Sequence, residues 1–169
     1  MYQEIIDKYY PEGSRLRDIY MKHAESVAAL AEELRAEFMP GLDPAQVRAA
    51  AMLHDIGIFL TSAPGIECRG TAPYIEHGPL GAELLRREGA PEWAARVAER
   101  HTGVGIGELV PQTPLEKLVC YADKFYSKSG TGARKTLDEV ERSMARFGAD
   151  NLAAFRRLHS LFTKPTASM

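Results

Sequence analysis

The sequence predicts an all-α fold, a compact helical bundle of about six to eight helices. Apolar residues recur at three- and four-residue steps through most of the chain, the spacing that places side chains on one face of a helix. Residues typical of helix starts precede several of these segments, and glycine and proline end them. Runs that alternate apolar and polar residues, the pattern of a half-buried strand, are nearly absent.

The first clear helix is predicted over about Arg15 to Phe38, where the apolar positions follow one helical face until Pro40-Gly41 interrupts them. A second helix is predicted from roughly Pro44 to Ile58. Asp43 is its expected N-cap, and Pro44 suits the first helical position because it lacks a backbone N–H. This helix is rich in alanine and strongly apolar, so we expect it to be buried.

The stretch from Thr61 to Gly78 predicts a long loop, because it holds three glycines and two prolines and no sustained period. A loop of this length is more often functional than a plain connection. Helices are expected again over about Pro79 to Glu88 and from Pro91 through His101.

In the last third of the chain, Thr113 caps a predicted helix that runs through Phe125. Gly130-Thr131-Gly132 predicts a turn. Two further amphipathic helices are expected, over about Ala133 to Phe147 and Asp150 to Phe162.

Size and composition favour one soluble globular domain over residues 1–169, with 45% hydrophobic and 26% charged residues. The formal net charge of −2, with both signs mixed along the chain, predicts no nucleic-acid or anionic-membrane partner. Neither a leader segment nor a membrane-spanning run is evident, so a cytoplasmic location is expected. Two cysteines, Cys68 and Cys120, are too few for a disulfide framework or a zinc knuckle.

Four of the five histidines and two acids are candidate metal ligands, because imidazole and carboxylate are the groups that divalent metals choose. Several lie beside apolar residues of predicted helices, where an unpaired buried acid is costly unless a cation compensates it. Each residue alone is more often a core or surface side chain, so the prediction depends on the set. Its members are His23, His54, Asp55, His77, His101 and Asp123.

The adjacent pair His54-Asp55 places a constraint on the site. Neighbouring residues of a helix point about 100° apart, so the two side chains cannot ligate one ion from a single helical face. They can do so near a helix end, where Ile56-Gly57 would let Asp55 bend inward. The pair therefore predicts a metal site at the end of the second helix.

The segment from Ala51 to Gly57, with a histidine upstream and the segment Tyr121 to Lys124 downstream, resembles the signature of the HD-domain phosphohydrolase superfamily. The resemblance spans about Lys22 to Lys128. It implies that four residues hold one metal ion: His23, His54, Asp55 and Asp123.

His77 and His101, in this order between the His-Asp pair and Asp123, resemble the extra ligands of the two-metal branch of that superfamily. The resemblance implies that Asp55 bridges two ions and that the two histidines hold the second. Iron or manganese is favoured, with zinc, cobalt, nickel or magnesium as alternatives. The pattern is similar to symmetrical dinucleoside-tetraphosphate hydrolases, although the insert from Thr61 to Glu76 and the glycine-rich stretch from Gly103 to Gly107 depart from them.

The expected function is that of a metal-dependent phosphohydrolase, in which two ions activate water and neutralise phosphoryl charge. The expected substrate is a small phosphorylated metabolite, with a nucleotide favoured, cleaved by phosphomonoesterase, phosphodiesterase or dinucleoside-polyphosphate hydrolase chemistry. No nucleic-acid or membrane partner is expected, and a homodimer is left open. Asp55 and Lys124 are the predicted catalytic residues. Arg69, Arg100 and Lys124 are predicted to bind the phosphate, with Lys22 and Lys128 as further candidates.

Two alternatives belong to other functional classes. One is a non-catalytic, metal-stabilised module that binds a nucleotide or a protein. The other is a diiron oxygenase on the same fold. Hydrolysis of a generic phosphate ester with added Mn²⁺ or Fe²⁺ distinguishes the hydrolase from the binding module, whereas oxygen consumption identifies the oxygenase.

Overall fold

The computed structural model describes residues 1–104 and 107–164, and within those ranges it confirms the predicted all-α fold. The helices are α1 (Tyr2–Tyr9), α2 (Arg15–Phe38), α3 (Pro44–Leu53), α4 (His77–Arg87), α5 (Glu92–Glu99), α6 (Pro114–Asp123), α7 (Leu137–Ala145) and α8 (Ala149–His159). Strands β1 (Ser62–Ala63) and β2 (Cys68–Arg69) form a small antiparallel pair. No helix in the described part of the chain is long and apolar enough to cross a membrane.

Helix α2 lies at the centre of the bundle, packed against α3 and α6. Its predicted bounds are confirmed because both ends are set locally. Ser14 accepts a hydrogen bond from the Arg17 backbone at 3.2 Å, and Pro40 lies just past the last turn. The face of α2 that includes Val27 and Leu30 is buried in the core, so the histidine on that face is held inside the protein.

Helix α3 ends at Leu53, earlier than the predicted Ile58. Beyond it the chain forms turns, in which the Ile56 N–H donates to Leu53 at 3.1 Å and the Ile58 N–H donates to Asp55 at 3.0 Å. Gly57, in these turns, packs directly against the backbone of α4, where there is no room for a Cβ. The His-Asp pair therefore lies in a turn beyond the helix end, as its chemistry requires.

The predicted loop from Thr61 to Gly78 contains the β1–β2 pair, in which Ser62 is opposite Arg69. Helix α4 starts at His77, two residues earlier than expected. Pro79 is tolerated there because N–H groups of the first helical turn have no partner within the helix. Helix α5 ends at Glu99, so His101 lies beyond the helix on which it was expected.

Helices α7 and α8 are shorter than predicted, and α8 is followed by a 3₁₀ turn over Ser160–Phe162. A capping box between Thr136 and Glu139 starts α7, which excludes the preceding residues from the helix. Helix α1 has no counterpart among the predicted elements. It buries Ile5 and Ile6 against the core and packs on α3.

Candidate metal centre

All six predicted ligands converge at one place in the bundle, although they come from five separate segments. His23 lies within α2, and the other five lie at or just beyond helix ends. His54 and Asp55 follow α3, His77 begins α4, His101 follows α5, and Asp123 ends α6. Helix ends suit this task because their backbone is free to turn a side chain toward a common point.

Asp55 joins two groups of ligands. Its Oδ2 lies 3.2 Å from His23 Nε2 and 3.3 Å from His54 Nε2. Asp123 Oδ1 completes this group, at 2.8 Å from His23 Nε2. The Oδ1 of Asp55 faces the other way, at 3.0 Å from His101 Nε2 and 3.3 Å from His77 Nε2. One carboxylate is thus shared by two clusters, and a metal ion could be held in each.

Backbone carbonyls select the tautomer of three of the four histidines. The Nδ1 atoms of His54, His77 and His101 lie 2.5–2.6 Å from the carbonyl oxygen three residues earlier in the chain. Nδ1 must therefore carry a proton, so Nε2, which faces the carboxylates, is the nitrogen that can bind a metal ion once it carries no proton of its own. Such an outer hydrogen bond is usual for histidines that bind metals, because it orients the ring and raises its basicity.

The donor set fits a cation. His77 Nε2 and His101 Nε2 are 3.0 Å apart, so two lone pairs would repel each other unless positive charge lies between them. Two ligand atoms that are each about 2.1 Å from one ion lie about 3 Å apart when their bonds to the ion form a right angle. The observed separations of 2.8 to 3.3 Å match that spacing. The site can therefore hold divalent metal with little rearrangement.

Two buried tyrosines support the turn that carries His54 and Asp55. Tyr20, on α2, donates its hydroxyl to the Met52 carbonyl at 2.6 Å. Tyr10, just after α1, donates to the Ile56 carbonyl at 2.7 Å. These bonds satisfy backbone groups that the end of α3 leaves unpaired, and they hold the turn rigid.

The charges around the cluster favour one bound proton on His54. Burial by itself lowers the pKa of His54, but Asp55 and Asp123 outweigh that effect and raise it to about 10. Burial, together with the neighbouring histidines, outweighs the opposing effect of Asp55 and lowers the pKa of His101 to about 4. Although burial opposes ionisation, positive groups nearby hold the pKa of Asp55 well below its usual range.

Metal binding between pH 7 and 9 is expected to release about one proton per protein, because His54 holds a proton below about pH 10 and must lose it to ligate. His101, with a pKa of about 4, is already neutral there. The apparent affinity should then rise about tenfold per pH unit. Calorimetric titration with Mn²⁺ in buffers of different ionisation enthalpy measures the proton count. A heat independent of buffer would contradict the prediction, and His159→Ala is the control because that histidine lies outside the cluster.

Lys128 forms an ion pair with the shared carboxylate of the cluster. Its Nζ lies 2.9 Å from Asp55 Oδ2, and its side chain is largely buried. Despite the opposing effect of burial, Asp55 raises the pKa of Lys128. In the sequence it is only a secondary candidate, since nothing local shows that the chain after α6 returns toward Asp55.

Lys124, predicted to be catalytic, borders the cluster and is buried. Its Nζ donates to the carbonyl oxygens of His101 at 2.9 Å and Cys120 at 3.1 Å, and lies 3.4 Å from Asp123 Oδ2. The ammonium thus links the His101 segment to α6. Its proposed contact with phosphate stays a prediction.

The two predicted phosphate-binding arginines are not brought to the cluster. Arg69 has a side chain that is 77% exposed and lies 3.2 Å from Glu67. Arg100 donates to the carbonyl oxygens of Glu108 and Val110 at 3.0 and 2.9 Å. Each interacts with other parts of the protein, and their role in binding phosphate stays a prediction.

The fold and the donor set define a helical protein with a His/Asp site that could hold divalent metal. Residues 20–127 match the family model described as the HD domain. Because this match covers more than half of the chain, the protein belongs to the HD domain family. HD domains bind divalent metals, which agrees with the clustered donors. No solved structure matches the chain.

Similar curated proteins carry different names. A tRNA (cytidine(56)-2'-O)-methyltransferase of Picrophilus torridus is 33% identical over 65% of this chain and 32% of its own length. An uncharacterized protein of Methanocaldococcus jannaschii is 33% identical over 65% of this chain and 64% of its own. A ribonuclease Y of Acidothermus cellulolyticus is 34% identical over 68% of this chain and 20% of its own. The chain spans less than two thirds of each of these relatives.

Proposed function

We propose that this protein is a metal-dependent phosphohydrolase that cleaves a phosphate ester or anhydride of a small metabolite, with a nucleotide as the expected substrate. One observation carries the proposal: the two oxygens of Asp55 face separate ligand groups. A donor set shared through one carboxylate suits a two-metal site. His77, His101 and Asp123 also line a cavity of about 930 Å³, large enough for a nucleotide.

The chemistry follows from the residues around the cluster. Two divalent ions, iron or manganese by preference, would make water nucleophilic near neutral pH and neutralise charge on the phosphoryl oxygens. The histidines whose Nδ1–H donates to a backbone carbonyl would bind these ions through Nε2. The ammonium of Lys128, which forms an ion pair with Asp55, is also close enough to the cluster to bind a phosphoryl oxygen.

Removing one ligand tests the proposal. His101→Ala is expected to lower hydrolysis of a nitrophenyl phosphodiester with Mn²⁺ by about 100-fold or more, because a ligand of the second group is lost. The matched control is His159→Ala. His159 shares a hydrogen bond of 2.7 Å with the Tyr121 hydroxyl and is not a member of the cluster, so this variant should retain full activity. The hydrolase would be rejected if the two variants were equally active. It would also be rejected if the unaltered protein hydrolysed no nucleotide with any metal.

RNA is a second candidate substrate, in partial conflict with the expectation of no nucleic-acid partner. Two of the similar proteins are named as a ribonuclease and a tRNA methyltransferase. A net charge of −2 provides little general attraction for a long polyanion. Incubating the Mn²⁺-loaded protein with a short RNA and with diadenosine tetraphosphate, at equal concentrations, separates the two substrate classes.

The alternative functional classes have distinct readouts in the same preparation. A diiron oxygenase would consume oxygen when loaded with Fe²⁺, and a binding module would retain nucleotide without turnover. The hydrolase requires phosphate or a phosphate monoester to accumulate with no oxygen uptake.

A further inference from the structure

Two cavities border the candidate metal centre. The larger, of about 930 Å³, lies on the side of His77 and His101. The smaller, of about 310 Å³, lies on the side of His23. The segment Tyr126-Ser127-Lys128 lines both, so a molecule bound at the cluster could extend into each.

The smaller cavity is basic. One face of α2 forms a wall of it and presents Arg15 and Lys22 about two turns apart, with Asp18 between them as the cavity's carboxylate. Lys128 contributes a third cation. Lys22 donates to the carbonyl of Thr131 at 2.8 Å, which holds its ammonium at this place without neutralising it.

The lining of the smaller cavity suits a phosphate group. Its charged lining residues are three cations and one carboxylate, and Ser127 offers a hydroxyl donor. Of the three cations, Lys128 also forms an ion pair with Asp55 at 2.9 Å. The Arg15 guanidinium is 3.9 Å from Glu67 and its side chain is 82% exposed, so it is free to turn toward an anion. His23, a predicted metal ligand, belongs to the same wall, which places such an anion next to the reacting centre.

The larger cavity has a different character. Large apolar side chains line it from two directions: Ile66, Tyr74 and Ile75 from the insert between α3 and α4, and Met144 and Phe147 from the end of α7. Phe147 is 76% exposed and Ile75 is 55% exposed. Exposed apolar groups at a cavity beside a reactive centre are typical of a surface that a ligand covers.

Resting on the function proposed above, we propose that the substrate carries a second phosphate group, which binds in the basic cavity formed by Arg15, Lys22 and Lys128. Its apolar or aromatic group occupies the larger cavity. The reacting phosphorus lies between them, at the cluster. Water adds its oxygen to that phosphorus, the P–O bond to the leaving group breaks, and the leaving oxygen takes a proton while the other proton passes to solvent.

This geometry selects among phosphate compounds. A simple phosphate monoester or a nucleoside monophosphate has no second phosphate, so it leaves the basic cavity empty. Dinucleotides, dinucleoside polyphosphates and RNA can occupy both cavities, because each has an organic group for the larger cavity and a further phosphate for the basic one. The preferred substrate is therefore a compound with two or more phosphates.

A matched pair of chromogenic substrates tests the proposal: thymidine 5′-(p-nitrophenyl phosphate) and the same compound with a 3′-phosphate. With Mn²⁺, the unaltered protein is expected to show a kcat/KM about tenfold higher for the compound with two phosphates. Arg15→Ala/Lys22→Ala should remove most of that preference, mainly through KM. Lys22→Glu should invert it by repulsion.

Arg87→Ala is the control, because it removes an equal charge from an exposed site that lines neither cavity. It should keep the preference. The second-phosphate site would be overturned if the unaltered protein cleaved both compounds equally, or if the substitutions lowered cleavage of both by the same factor. Either result would leave the hydrolase intact. Absence of cleavage of any phosphate compound would reject the hydrolase itself. Assays of diadenosine tetraphosphate and a short RNA in parallel show which of these two substrate classes provides the second phosphate.

Discussion

Asp55→Asn is expected to lower phosphohydrolase activity by about 1,000-fold or more and to reduce bound metal from two ions to at most one. The amide has nearly the shape of the carboxylate but no charge, and it cannot offer an anionic oxygen to both ligand groups. In the structure both oxygens of Asp55 are in use, one facing His23 and His54 and the other facing His77 and His101. Asp55 is the residue that belongs to both ligand groups of the described cluster.

Metal content by mass spectrometry and turnover with Mn²⁺ measure this effect, and circular dichroism checks the fold. Asp150→Asn is the matched control, since Asp150 is exposed in the first turn of α8. A variant at Asp55 that retained two ions and normal turnover would refute the shared-carboxylate centre and, with it, the proposed chemistry.

Gly57→Ala is expected to destabilise the protein by about 3 kcal/mol and to lower Tm by roughly 6–12 °C. A Cβ at this position would collide with the carbonyl of His77 and lie 2.6 Å from the Gly81 backbone nitrogen. Both contacts are with backbone, so α4 must move away from the His54–Asp55 turn as a unit. His77 begins that helix, so the second ligand group should open and lose its ion.

Thermal unfolding and metal stoichiometry test this prediction together. Gly41→Ala serves as the control, because its Cβ would meet nothing within 4 Å. If Gly57→Ala unfolded at the same temperature as the control and bound as much metal, the close packing of α4 on the turn would not be what positions His77.

Some elements were predictable because their ends depend on neighbours in sequence. Ser14, Asp43 and Thr113 cap their own helices, so the starts of α2, α3 and α6 could be located from the sequence. Other boundaries depend on distant contacts. The turn that follows α3 packs against α4 at Gly57, and α1 is stabilised by burial of its apolar face more than by any local signal.

The sequence by itself determined which residue types could bind metal and, through a family signature, that they belong together. Only the tertiary structure decided how they are used. It directed the two oxygens of Asp55 to different histidines, set Lys128 at 2.9 Å from that carboxylate, and left Arg69 paired with Glu67. The physical reason is that side-chain chemistry is a local property of the chain. Distance and direction between residues far apart in sequence depend on how the helices pack.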